Sequence, residues 1–321
     1  MDVKPSILIT GATGFVGRHL IAALSGNYPL HLAIRGMDRA GFEKSLPVFT
    51  GLSLLPETNW QEALKDCNTV IHTAARVHVM KEKAANPLQE FRTVNVEGTL
   101  HLARQAASGG IKRFIFLSTA KVNGEFTTGK PFAATDVPNP TDPYAVSKFE
   151  AEQGLLQLAR ETGMEVVIIR PPLVYGAEVK GNFLTMVRIL QKGLPLPLGA
   201  IHNKRSLVAI ENLISLIETC LVHKNAANRI FLVSDGADLS TTELLRALCN
   251  SMNKSAFLIP VSTKLLSFFA SLLGKKAVFS RLCGSLQLDI SQTCKQLNWQ
   301  PKADTIESFR LAVQGFKKPG A

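Results

Sequence analysis

The chain has 321 residues, 46% hydrophobic and 19% charged, a balance that excludes an intrinsically disordered protein and supplies enough core for one large α/β domain or two modest ones. With 36 Lys+Arg against 25 Asp+Glu the formal net charge is +11; this suits anionic small molecules, and without a basic run interleaved with aromatics nucleic acid is not expected as a partner. Five cysteines (Cys67, Cys220, Cys249, Cys283, Cys294) form an odd set with no CxxC pair and no histidine cluster, so neither a disulfide framework nor a metal site is expected, and the thiols read as reduced residues of a cytoplasmic protein.

In chain order, residues 7–10 read as a strand, 15–24 as a helix and 31–34 as the next strand. A weaker apolar run follows at 48–55, then strands at 70–72, 114–118 and 166–170. Short β-branched runs alternating with helical segments predict an α/β protein with a Rossmann-type, doubly wound parallel sheet. Between the last two strands a helix has clear ends: Asp142 to cap it, Pro143 at its first position, and Gly163 where a left-handed terminal residue belongs. After Arg170 the texture changes to Pro171-Pro172 and a Gly/Pro-rich stretch at 193–199. A smaller C-terminal substrate-binding domain is expected to begin there. RIFLVSD at 229–235 is expected to return to the main sheet, giving a dinucleotide domain of 1–170 plus 203–236 and a substrate region of 171–202 plus 237–321. The apolar stretch 257–273 contains Pro260 and Lys264; it is too short and broken for stable membrane insertion and reads as a buried or partner-facing helix.

Gly11, Gly14 and Gly17 follow the first strand directly and open the first helix, with Phe15 and Val16 between them. Glycines there let the backbone approach a pyrophosphate, while the helix N-terminus offers unpaired N–H groups and partial positive charge. At the end of the second strand an NAD-preferring enzyme usually presents a carboxylate to the ribose. Here Arg35 stands in that place, and its guanidinium suits a 2′-phosphate. The cofactor is therefore expected to be NADP(H), with NAD(H) left open by Asp38 three residues on.

Tyr144-Ala-Val-Ser-Lys148 puts a phenol and an ammonium on one face of the capped helix. A phenol titrates near ~10 and needs a neighbouring cation to work as an acid–base near neutrality. Thr119, 25 residues before Tyr144, follows the strand at 114–118 and can hydrogen-bond a reacting oxygen; Ser118 is its rival, one of the two turning inward.

These elements sit among others: GATGFVG at 11–17, HTAA at 72–75, NVEGT at 95–99, RPPLVYG at 170–176, RSLVAIEN at 205–212 and LNWQP at 297–301. Together they resemble, nearly end to end, the extended short-chain dehydrogenase/reductases of the NAD-dependent epimerase/dehydratase family, which act on nucleotide sugars. The resemblance implies that Thr119, Tyr144 and Lys148 are catalytic. It implies cofactor contacts from Gly11, Gly14, Phe15, Val16, Gly17, Arg35, Ala74, Asn95, Tyr144 and Lys148. Substrate contacts are implied for Ser118, Thr119, Tyr144 and, at the nucleotide diphosphate, Arg205. Leu173 stands where many epimerases carry an asparagine, making Asn182 the substitute, and Ser206 replaces the usual aspartate beside the arginine. A homodimer is a further implication.

In texture, ARVHVM at 75–80, STAKVNGE at 118–125 and the KGNF at 180–183 are most similar to enzymes of bacterial O-antigen and surface-polysaccharide synthesis. A UDP-sugar substrate follows from that likeness. Exchangeable NADPH suits Arg35, so the expected reaction is reduction of the C4 keto group of a UDP-4-keto-6-deoxy-N-acetylhexosamine, giving UDP-N-acetylquinovosamine or UDP-N-acetylfucosamine. The alternative is a UDP-glucose or UDP-N-acetylglucosamine 4-epimerase holding its NAD tightly. A non-catalytic dinucleotide sensor would have no use for a hydroxyl, phenol and ammonium at this spacing.

Overall fold

The computed structural model describes residues 4–39, 41–77, 86–179 and 181–314. Strand β1 (Ile7–Thr10) is buried along its whole length, as a central parallel strand covered on both faces must be. The chain continues through α1 (Phe15–Leu24), β2 (Leu30–Ala33), β3 (Val48–Phe49), α2 (Gln61–Leu64) and β4 (Thr69–His72). Next come α3 (Pro87–Arg92), a π-helical turn (Thr93–Gly98), α4 (Thr99–Ser108), β5 (Arg113–Leu117), α5 (Pro143–Thr162) and β6 (Glu165–Arg170). Beyond these lie β7 (Leu173–Tyr175), α6 (Gly181–Gln191), β8 (Leu207–Ala209), α7 (Ile210–Val222) and β9 (Arg229–Leu232). Helices α8 (Thr241–Ser251), α9 (Thr263–Leu272), α10 (Lys276–Cys283), α11 (Ser291–Leu297) and α12 (Thr305–Gln314) complete the described chain.

Seven parallel strands form the main sheet in the order β3-β2-β1-β4-β5-β6-β9. The fold is a Rossmann-type doubly wound α/β sheet, as the alternation predicts. Side chains alternate across it with the period of two that a strand imposes. Ile7, Ile9, Ile115, Val167 and Ile169 face one core with Leu20 of α1 and Leu213 of α7. Leu8, Val70, Phe114, Phe116 and Ile168 face the other with Leu102 of α4 and Leu155 of α5. The apolar run at 48–55 yields only two strand residues, Val48–Phe49; beyond them Gly51 takes φ 73°, in the left-handed region.

Strands β7 and β8 pair as a separate parallel ribbon, below which a third core stacks Tyr175 on Phe309 at 4.5 Å and on Phe183 at 5.8 Å between ring centroids. Asp235 joins this core to the large sheet. Its carboxylate accepts from Tyr175 Oη (2.8 Å), Ala209 N–H (2.8 Å) and Asn212 Nδ2 (2.7 Å). Asn212 Oδ1 in turn accepts the backbone N–H groups of Lys302 and Ala303.

Within segment 257–273, Thr263–Leu272 form α9, which is not a buried helix. No residue of α9 is buried, which leaves the partner-facing reading of its sequence.

Candidate active site

The glycine loop is built by close approach. Gly11 takes φ 72°, and a Cβ there would stand 2.6 Å from Thr73 Oγ1 and 2.8 Å from Ala74 N. At Gly17 a Cβ would stand 2.2 Å from the Gly11 carbonyl oxygen. Gly14 donates its N–H to that same carbonyl (2.8 Å) and forms the N-terminal boundary of α1, with no side-chain cap on the helix. The first-turn N–H groups, beside Phe15 and Val16, therefore have no side-chain acceptor, the condition an anion-binding helix end requires. Ala74 crosses at the same sheet edge, its N–H 3.4 Å from Thr10 Oγ1. This cradle fits the pyrophosphate of a dinucleotide. Arg35, two residues beyond β2, is exposed; β2 ends level with β1, Ala33 opposite Thr10, so Arg35 follows the same edge of the sheet.

Helix α5 brings Tyr144 and Lys148 to that edge. Asp142 Oδ1 caps it by accepting the Ala145 N–H (2.8 Å), and Gly163 closes it at φ 77°. The Tyr144 ring packs edge-on against Phe91 at 6.1 Å. Lys148 is buried, with Nζ 3.8 Å from the centroid of the Phe116 ring. Burial pushes the Tyr144 phenol up to about 12, Asp142 adding to the effect. Burial likewise brings the Lys148 ammonium down to about 7, against a smaller opposing pull from Glu152. A phenol lowered by its lysine is expected from the sequence; within the protein the loss of hydration dominates for both groups. His72 lies next to them, its ring nitrogens 2.7 Å from Thr10 Oγ1 and 3.0 Å from Thr99 Oγ1. Burial and then Lys148 hold its pKa well below the ordinary histidine value, so it stays neutral.

Ser118 and Thr119 separate cleanly. Ser118 is buried and donates its hydroxyl to Glu152. Glu152 is also ion-paired with Arg170, whose Nη1 reaches Asn123 Oδ1 at 2.9 Å. Ser118 thus faces the interior beneath the edge. Thr119 is half-buried and opens a short 3₁₀ turn, Ala120–Val122, by accepting the Lys121 N–H at 3.3 Å. Lys121 Nζ pairs with Asp142, the cap of α5. One ion pair therefore fastens the turn after Thr119 to the start of the helix bearing Tyr144.

Asn95, within the π-helical turn, accepts from the Arg76 N–H (2.8 Å) and donates to the Arg76 carbonyl (3.0 Å) and to Ser147 Oγ (3.0 Å). Ser147 donates onward to the Tyr144 carbonyl at 2.8 Å. In this geometry Asn95 joins the strand-edge loop to α5.

Arg205 lies outside this cluster. It bridges Leu239 on one side and Leu286 on the other, and its Nη1 donates to the carbonyls of Arg281 (3.1 Å) and Gly284 (2.9 Å). Burial lowers its pKa. Ser206, in the usual aspartate's place, donates to Asp238 at 2.6 Å and accepts the Leu288 N–H. Asn182 is the second residue of α6, and its side chain lies outside the described residues, as do residues 78–80 of the ARVHVM motif.

Reasoning from sequence passed over Lys121, Asn123, Glu152 and Arg170. Two of these carried a signal: Arg170 as the charged residue ending the apolar strand β6, and Glu152 as a glutamate one helical turn beyond Lys148. Among the described residues no cluster of His, Cys, Asp and Glu suited to a metal occurs.

A doubly wound sheet with a glycine-lined helix entrance, and a Thr/Tyr/Lys set at the same edge, defines a dinucleotide-dependent enzyme of the short-chain dehydrogenase/reductase type. The profile of the NAD dependent epimerase/dehydratase family matches residues 7–234, and the chain belongs to that family of nucleotide-sugar enzymes. It is 46% identical over 315 residues to a UDP-glucose 4-epimerase of Vibrio cholerae, covering 97% of this chain and 95% of that one. Among solved structures it is similar to the UDP-glucose 4-epimerase of Thermotoga maritima with UDP-glucose (TM-score 0.76, 20% identity, 97% and 98% coverage). It is also similar to RMD from Pseudomonas aeruginosa complexed with NADPH (TM-score 0.72, 22% identity, 97% and 99% coverage). At these identities the two structures speak for the fold.

Proposed function

We propose that the protein interconverts UDP-hexoses differing at C4, using a resident nicotinamide dinucleotide. The 46% identity to a UDP-glucose 4-epimerase, sustained over nearly all of both chains, carries this reading over the 4-keto reduction that Arg35 alone suggests. In it, residues 1–170 and 203–236 hold the dinucleotide, and 171–202 with 237–321 cover the sugar nucleotide. Gly11, Gly14 and Gly17 with the head of α1 receive the pyrophosphate, and Lys148 the nicotinamide ribose. When bound, the nicotinamide supplies the hydride acceptor and donor for C4.

The protein's own work is proton transfer and orientation. Tyr144 Oη, having passed its own proton to the Lys148 amine, takes the proton from the sugar O4 as a phenolate and later returns it, and Thr119 Oγ1 hydrogen-bonds the same oxygen. Lys148, poised near neutrality by burial, supplies positive charge when the phenol ionises. Arg205 takes the diphosphate. UDP-glucose and UDP-N-acetylglucosamine, offered without added cofactor and followed by proton NMR, should each yield the C4 epimer with no net change in nicotinamide redox state. No epimer exchange would defeat the proposal.

Reduction of a UDP-4-keto-6-deoxy-N-acetylhexosamine remains the second reading. The observation favouring it is the exposed Arg35 in the position where an NAD-holding carboxylate belongs. Stoichiometric NADPH oxidation with that substrate would select it, and Arg35→Asp should then shift preference toward NADH. The homodimer implied by the family resemblance is checked by sedimentation velocity.

A further inference from the structure

We propose that α9 and α10 form a docking surface for an anionic lipid bilayer, a property independent of the reaction assigned above. Leu265, Phe268, Phe269 and Leu272 fall at i, i+3, i+4 and i+7, one face of α9, and that face is in solvent: Phe268 is 63% and Leu272 73% exposed. Leu266, Ser267 and Ala270, on the opposite side, are only half-exposed. Contiguous apolar surface of this kind is rare on a soluble monomer and marks a site that is covered in use.

Charge identifies the cover. Between Glu243 and Asp289 the sequence contains no acidic residue but six basic ones: Arg246, Lys254, Lys264, Lys275, Lys276 and Arg281. Lys264, Lys275, Lys276 and Arg281 are exposed and flank the apolar face, at the start of α9, in the turn after it and along α10. Long basic side chains around a short apolar helix face are the pattern of a helix lying in the headgroup plane of a negatively charged leaflet, stems buried and ammonium groups raised to the phosphates. A second copy of the chain fits less well, because a two-fold contact sets the same patch against itself and brings these cations face to face. Spanning is excluded for α9, whose ten residues rise only about 15 Å; among the described residues no helix is long and apolar enough to cross a membrane. The carbonyls of Arg281 and Gly284, at the end of α10, hold Arg205, so the docked pair adjoins the segment assigned to the diphosphate.

The full chain is tested by co-sedimentation with vesicles of phosphatidylcholine alone and of phosphatidylcholine mixed with phosphatidylglycerol. The native chain should partition to the mixed vesicles and be released by salt. Phe268→Glu with Leu272→Glu, and separately Lys264→Gln with Lys275→Gln and Lys276→Gln, should each weaken partitioning about tenfold or more. Both variants alter exposed side chains, and an unchanged melting temperature shows that they fold. Failure of the native chain to bind mixed vesicles, equal binding to both vesicle types, or full binding by the Phe268/Leu272 variant would each overturn the proposal. So would sedimentation velocity showing instead a self-association that the Phe268/Leu272 variant abolishes.

Discussion

Asn95 Nδ2 donates to the Ser147 hydroxyl at 3.0 Å, joining a π-helical turn to the helix that carries Tyr144 and Lys148. The same side chain also bonds both backbone groups of Arg76, so its loss removes three hydrogen bonds at once. Asn95→Ala should lower the unfolding free energy by about 1–3 kcal/mol, the summed net worth of those bonds. Urea denaturation of the two proteins measures it, and equal midpoints would remove the stapling role.

Tyr144→Phe keeps the ring and its contact with Phe91 and deletes only the proton donor. Turnover should fall by about 10²–10⁴, the usual worth of a positioned acid–base, while dinucleotide affinity hardly moves. Titration calorimetry beside the NMR assay separates the two, and retained turnover would deny the phenol its role.

Lys148 carries a pH signature in stability. Burial lowers it from 10.5 to about 7, so between those values the unfolded chain holds a proton that the folded chain lacks. Lys148 therefore penalises folding near pH 7, and the penalty shrinks as pH rises toward 10.5. Lys148→Met removes it. The variant should be more stable than the native protein at pH 7, by on the order of a few kcal/mol, with the gap narrowing toward pH 10. A gap that is absent or widens with pH would show a hydrated, charged lysine.

Glu152 and Arg170 are almost wholly removed from solvent and paired, with Ser118 on the same carboxylate. Glu152→Ala should destabilise by about 3–5 kcal/mol, because it leaves a buried guanidinium without its counter-charge. Glu152→Leu with Arg170→Met should recover much of that loss. A double variant no better than the single would mean that the pair stabilises beyond its own neutralisation.

Gly17→Ala puts a methyl group 2.2 Å from the Gly11 carbonyl oxygen. The loop must open to admit it, and fluorescence titration should show dinucleotide affinity reduced by about tenfold or more, on the order of 1.4 kcal/mol. Gly26→Ala, with no heavy atom within 4 Å of the added carbon, is the matched control.

Local rules were enough to read most of this architecture. Ile7–Thr10, the glycine loop, the Asp142 cap and the Gly163 terminus follow from backbone chemistry within a few residues, and they appear where expected. The choice between Ser118 and Thr119 was not local, because it depends on Glu152 standing beneath Ser118, 34 residues away. The link between Lys121 and Asp142 likewise exists only once the turn and the helix meet. Titration was the least legible property, since spacing shows that Tyr144 and Lys148 are neighbours but says nothing of the burial that moves both.

The return of β9 to the edge of β6 has a consequence for synthesis. Val167 pairs with Arg229 and Arg170 with Leu232, so the outer edge of β6, apolar from Val166 to Ile169, has no strand beside it until the ribosome has released residue 232. Throughout that interval a nascent chain presents an open, sticky strand to its neighbours on the polysome. Arrest of translation inside the α7 coding region should therefore yield aggregates, whereas arrest beyond β9 should not, and chaperone demand should peak between those two points.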